Sequence, residues 1–115
     1  MLPNDVNATF QASDPKVFWD AQQRVWVLFY FCNGAFAKPF AGGANICVAF
    51  SEDQKSWAKS SSPIYAHGGH PKGYDADHAH KVWLTAHPRT GVLYLYYTGV
   101  FRGGRGILLL TSEPI

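Results

Sequence analysis

The sequence predicts an all-β protein built from two small antiparallel sheets, and three observations predict it. Hydrophobic residues fill 47% of the 115 positions and aromatics 16%, and the aromatics are interleaved with Val, Leu and Ile as strands require. The same order of short apolar runs occurs twice along the chain. No stretch of useful length carries the periodicity of an amphipathic helix.

Asp14-Pro15-Lys16-Val17 opens the first unit, which continues through Val25-Trp26-Val27-Leu28-Phe29-Tyr30. After a glycine-containing loop comes Ile46-Cys47-Val48-Ala49-Phe50-Ser51. The polar turn Ser51 to Trp57 then leads to a fourth strand candidate around Trp57 to Lys59. In that turn Asp53 can bond its own downstream backbone and Trp57 can cover the hairpin, so a structural role is expected of both. The order recurs about 65 residues on: His80-Lys81-Val82-Trp83-Leu84, then Val92 to Tyr97, a Gly-rich turn, and Ile107 to Ser112. Turn signals at Arg89-Thr90-Gly91 and Arg102-Gly103-Gly104 separate these runs.

Aligned by identity, Lys16 matches Lys81, Tyr30 matches Tyr97, Ile46 matches Ile107 and Ser51 matches Ser112. This reads as a duplication within one β domain, 1–115, with a first unit at 13–66 and a second at 67–115. A four-stranded antiparallel sheet made from about 60 residues is the signature of a propeller blade. The second blade reaches Glu113-Pro114-Ile115 where its outer strand should begin. Residues 6–12 alternate apolar and polar, and are the candidate to supply that strand by strand exchange or oligomerisation.

Charged residues make up only 16%, which excludes an intrinsically disordered chain. A net charge of +2 without a Lys/Arg cluster gives no footing for nucleic acid. The longest apolar run, Val25 to Cys32, is well short of a membrane span. No signal peptide is visible, so a cytoplasmic location is the default expectation. Cys32 and Cys47 lack metal-ligand spacing and fall in apolar runs, where a free Cys behaves as a small buried hydrophobe. Neighbouring strands would leave a disulfide open, but buried thiols are the expectation.

The densest polar stretch is Gly73-Tyr74-Asp75-Ala76-Asp77-His78-Ala79-His80-Lys81-Val82-Trp83. If it is extended from His78, then His78 and His80 share one face while Ala79 and Lys81 share the other. Two such imidazoles could ligate a metal with Asp75 or Asp77 as a third ligand. His67, His70 and His87 lie in loops without ligand spacing, so neither a metal nor another cofactor is expected. The repeat makes the stretch the opening of the second blade, the counterpart of Asp14-Pro15-Lys16-Val17.

In this order the motifs resemble the five-bladed β-propeller glycoside hydrolases of family 43 and its relatives. The matching elements are Asp14-Pro15, Phe29-Tyr30, Ala49-Phe50-Ser51-Glu52-Asp53 to Trp57, and Pro63-Ile64. In the second blade they are Asp75, His78-Ala79-His80-Lys81, Tyr94 to Tyr97, and Ile107 to Ser112. The resemblance spans about residues 13 to 115. Val82 stands where the family carries Pro, and a five-bladed enzyme is more than twice as long as this chain.

The resemblance implies axial carboxylates: Asp14 as base or nucleophile, Asp75 as an orienting group, and Asp77 as a second choice. A saccharide ligand is expected, with His78, His80 and Lys81 as candidate polar contacts and Trp19, Trp83 and Tyr74 as candidate rings to stack on a sugar face. The general acid of the family is a Glu from a later blade, and Glu52 and Glu113 both fall at turns. Hydrolysis therefore requires a completed ring, expected as a homo-oligomer. The alternative is a sugar-binding or structural two-blade module that lacks the acid.

Overall fold

The computed structural model describes residues 11–33 and 43–113, which form seven strands and, among these residues, no helix. Strands β1 (Gln11–Asp20), β2 (Val25–Asn33), β3 (Asn45–Ser51) and β4 (Ala58–Lys59) make one antiparallel sheet in sequential order. Strands β5 (His78–Ala86), β6 (Leu93–Phe101) and β7 (Gly104–Thr111) make a second, three-stranded antiparallel sheet. The expected all-β architecture of two blade-like sheets is what the chain adopts, the second sheet ending at three strands. Of the segment 6–12, Gln11 and Ala12 belong to β1, opposite Asn33 and Cys32; the rest lies outside the described residues.

Local chemistry sets each turn. Asp20 Oδ1 accepts from the amides of Gln22 (3.0 Å) and Gln23 (3.2 Å), closing the β1–β2 hairpin. His87 Nδ1 does the same for Arg89 (3.1 Å) and Thr90 (3.3 Å), ahead of Gly91 at φ 74°. At the Ser51–Trp57 turn, Asp53 Oδ1 accepts from the amides of Lys55 (2.8 Å) and Ser56 (2.9 Å) and from the Ser51 hydroxyl (3.1 Å). The amides of Ser56 and Lys55 hold this carboxyl below its ordinary pKa. Trp57 Nε1 donates to the Gln54 carbonyl (3.2 Å) while its ring packs on the core of the first sheet, so this turn is structural as expected.

The registers of the two sheets correspond closely. Tyr30 pairs with Cys47 and Tyr97 with Leu108; Phe31 pairs with Ile46 and Thr98 with Ile107. Ser51 ends the first sheet opposite Trp26, and Ser112 exchanges backbone and side-chain bonds with Leu93. The first strand of each sheet carries a bulge at the same register. On β1 it falls between Ser13 and Lys16, on β5 between His80 and Trp83. Lys16 then faces Phe29 as Trp83 faces Tyr96. The position matching Lys81 is therefore Asp14, not Lys16: alignment by identity slips by two residues at the bulge, where two residues oppose one on the partner strand.

The bulge also overturns the expected parity of β5. His78 and His80 do share a face, with ring centroids 5.8 Å apart. Ala79, however, is fully buried while Lys81 is exposed, and Val82 takes the next core position.

The core lies on both faces of the first sheet. Ile46 and Phe29 pack against Ala79, Val82, Leu95 and Tyr97 of the second sheet. On the opposite face Leu28, Tyr30, Cys32, Cys47 and Ala49 form another buried cluster. There Cys32 and Cys47 are joined as a disulfide, with Cα atoms 6.0 Å apart, which corrects the expectation of buried thiols. Register explains it: Cys32 faces Asn45 and Cys47 faces Tyr30, so the two are diagonal neighbours on one face.

Candidate functional site

The bulges bring Asp14 and the His78–Lys81 segment to the same end of the molecule. Asp14 and Lys81 each adopt a left-handed backbone at φ 57°, a conformation costing a non-glycine residue about 1 kcal/mol. In β1 this turns the Asp14 carboxylate so that Oδ1 meets Lys16 Nζ at 3.1 Å. Its Oδ2 is buried and has no hydrogen-bond partner among the described residues.

His80 lies across from it on β5, edge-on to Phe31 with centroids 5.5 Å apart. Its Nε2 is likewise buried and unpartnered among the described residues. Burial, together with the neighbouring charges of His78, Lys81 and Arg105, pushes the imidazole below its ordinary pKa; Asp14 alone pulls the other way. The ring is therefore neutral near pH 7. His78 is fixed differently, its Nδ1 accepting from the Ala44 amide at 3.0 Å. Ala79 N donates to the Ala44 carbonyl at 2.9 Å, so this contact ties the second sheet to the first.

Asp75 sits apart from this pair, fully buried in the 66–77 loop. Its Oδ2 accepts from the Tyr65 hydroxyl (2.7 Å) and the Tyr97 hydroxyl (2.8 Å). Its Oδ1 accepts from the amides of Gly68 and His70, both at 3.1 Å. Burial raises its pKa, but these bonds outweigh burial and hold the carboxyl below its ordinary value. In turn, burial pushes the Tyr65 hydroxyl up to about 12 and the Tyr97 hydroxyl higher still. With every acceptor direction engaged, Asp75 presents no oxygen to a ligand and anchors the loop across β6. The backbone passes close: a Cβ on Gly99 would lie 2.7 Å from the Tyr74 carbonyl.

The other expected residues scatter. Asp77 is exposed, and its amide donates to the Val100 carbonyl at 2.9 Å. Tyr74 is 40% exposed, stacked on His70 at 5.0 Å and beside Phe101 at 5.5 Å, on the same loop that carries Asp75. Trp83 is 57% exposed and meets Phe18 edge-on at 5.4 Å. Trp19 packs on Trp26 at the far end of β1, where it lines a cleft of about 430 Å³ with Phe29, Leu84 and Leu93. It is separated from Asp14 by half the length of the strand. A second hollow, about 490 Å³, adjoins Phe50, Asp53 and Trp57, but the Asp53 carboxylate there is committed to its turn.

The structure thus unites Asp14, His78, His80 and Lys81, and adds Lys16 and Arg105. Arg105 follows the turn signal Arg102-Gly103-Gly104 and was not singled out by the sequence; its register, opposite Val100 and hence in line with His78, places it here. No group of three or more His, Cys, Asp or Glu side chains is arranged to hold a metal ion among the described residues.

No protein-family profile matches the chain, and no curated protein does. Among solved structures it is similar to a "Glycoside hydrolase" and to a complex named for BT0996 and RGII. Each aligns with a TM-score of 0.73 and 27% identity over 90% of this chain and 28% of the other. The chain has the fold of part of a glycoside hydrolase, spanning a little over a quarter of the proteins it matches.

Proposed function

We propose that this chain is a carbohydrate-active protein of the propeller glycoside hydrolase type, with the motif order of family 43 and its relatives. Residues 13–66 and 67–115 are two repeated blades of a ring, and the bulge shared by β1 and β5 supports that reading. The ring is completed by further blades, supplied by other copies of the chain in a homo-oligomer. They pack against the outward face of the second sheet, where Trp83, Tyr96 and Leu109 lie in register and exposed, with Ile107 beside them.

One observation carries the assignment of the site. In a glycoside-hydrolase-like fold, the innermost strands hold a buried carboxylate oxygen of Asp14 and a buried imidazole nitrogen of His80 that the described residues leave unpaired. A buried polar atom without a partner costs about 1–3 kcal/mol, and a sugar hydroxyl or water satisfies both atoms. Asp14 acts as general base on a water or as nucleophile at the anomeric carbon, with Lys16 Nζ holding its Oδ1 at 3.1 Å. His80, neutral, bonds a sugar hydroxyl. Asp75 supports the site by holding the 66–77 loop. The proton for the leaving oxygen comes from a carboxylic acid of another blade, and its distance from Asp14 sets retention or inversion.

Asp14→Asn should lower the turnover of p-nitrophenyl glycosides by at least about 100-fold at unchanged thermal stability. Unchanged turnover would remove Asp14 from the reaction. A second reading, saccharide binding without hydrolysis, is favoured by one fact: among the described residues Asp14 is the only carboxylate with a buried, unpaired oxygen. Calorimetry that records saccharide binding with no product released would select it.

A further inference from the structure

Asp14 and Lys81 hold the same place in two sheets: a bulge on the innermost strand, φ 57°, at matching registers. They carry opposite charges. Strain of this kind persists in mid-strand where the displaced side chain has a task. For Asp14 the task is the carboxylate chemistry already proposed; for Lys81 that proposal leaves the ammonium without one. Lys81 is exposed, and no salt bridge holds it among the described residues.

Two imidazoles and one guanidinium lie near Lys81. His78 and His80 precede it on the same strand, and Arg105 faces Val100, which faces His78. Arg105 therefore stands two strand spacings from His78 on the same face, about 10 Å. Lys16 is already committed to Asp14 at 3.1 Å, and Asp77 is the other carboxylate nearby. Lys81 and Arg105 remain as cations close enough to act on His80, whose Nε2, like Asp14 Oδ2, is buried and unpaired among the described residues. A neutral sugar offers nothing for an ammonium to pair with, while a sugar carboxylate does.

We infer that Lys81 holds a carboxylate on the saccharide bound at Asp14, aided by Arg105, so that the site selects acidic sugars of the uronic-acid class. This rests on the reading of Asp14 and His80 as a saccharide site. Lys81 is thus a specificity residue: it discriminates by charge, and the chemistry stays with Asp14.

Methyl β-glucuronide and methyl β-glucoside differ only in carboxylate against hydroxymethyl, and their affinities test the inference by calorimetric or NMR titration. The wild-type protein should bind the glucuronide at least about tenfold more tightly, the worth of one charge-assisted contact. Lys81→Met should bring the two within about twofold, and Lys81→Arg should keep the preference. Raising salt from about 50 to about 500 mM should erode the wild-type preference, a readout that needs no variant. Equal affinities for both sugars would overturn the inference while leaving the saccharide site intact. Binding of neither sugar would overturn both. Sodium acetate competing as well as the glucuronide would reduce Lys81 to a simple anion contact and overturn the sugar selectivity.

Discussion

At Asp14 and Lys81 a left-handed backbone in mid-strand sets two charged residues at the end of the molecule where His80 lies half-buried. Its imidazole is depressed by burial and by His78, Lys81 and Arg105, and supported only by Asp14. Its NMR titration midpoint should therefore fall below the ordinary value of about 6.5. In Asp14→Asn the midpoint should drop further, because the one favourable charge is gone. A midpoint that rises in that variant would separate the two groups. Asp75 makes the opposite case, a carboxylate wholly consumed by structure. Asp75→Ala leaves two tyrosine hydroxyls and two amides without their acceptor and should cost about 3 kcal/mol in denaturant unfolding. Because its folded pKa is lowered, its contribution is full above the unfolded value near 4 and is lost as pH falls through the folded value. Acid unfolding in the wild type should accordingly be steep below about pH 4, and blunted in Asp75→Ala.

At the scale of strands and turns, the disulfide is the main departure from what composition implied. It closes a loop with a sequence separation of 15, worth about 3 kcal/mol in the chain-entropy account. Cys32→Ser with Cys47→Ser should lose about that much, and denatured wild-type protein prepared without reductant should show no free thiol; two reactive thiols would contradict the pairing. Apolar runs such as Val25 to Tyr30 made the strands legible, because alternation and aromatic content report burial directly. The Ser51–Trp57 turn was legible because Asp53 and Trp57 have a local mechanism. The bulges were not. Two residues opposing one leave no mark in composition, and the identity of Lys16 with Lys81 drew the alignment across them. The cysteine pairing was hidden for a related reason: it needs the β2–β3 register, which apolar runs leave open by a residue either way. Asp75 stood out in the sequence by its neighbours, yet its partners Tyr65 and Tyr97 are 10 and 22 positions distant and were invisible.

For the molecule as a whole, the second sheet has one face packed on the first sheet and the other open. Exposure reaches 71% at Ile107 and 45% at Leu109. An apolar stripe of this kind on a sheet face marks an interaction surface. Light scattering should find an assembly larger than one chain, and Ile107→Lys with Leu109→Lys should shift it to monomer without lowering the melting temperature of the two-sheet unit by more than a few degrees. A wild-type monomer at high micromolar concentration would end the proposal of a ring made from copies of this chain. The charge pattern agrees with a site at one end rather than along the sheets: Asp14, His80, Lys81 and Arg105 converge, while Trp19 and its cleft lie at the other end.

The proposed saccharide site between the bulged strands β1 and β5 is tested most directly by mapping amide shifts in the isotope-labelled protein during titration with an acidic oligosaccharide. The account predicts the largest changes at Asp14, Lys16, His78, His80 and Lys81, with little at Trp57 or at Trp19 and Leu84. Shifts concentrated in either of those hollows, with the bulges silent, would contradict it.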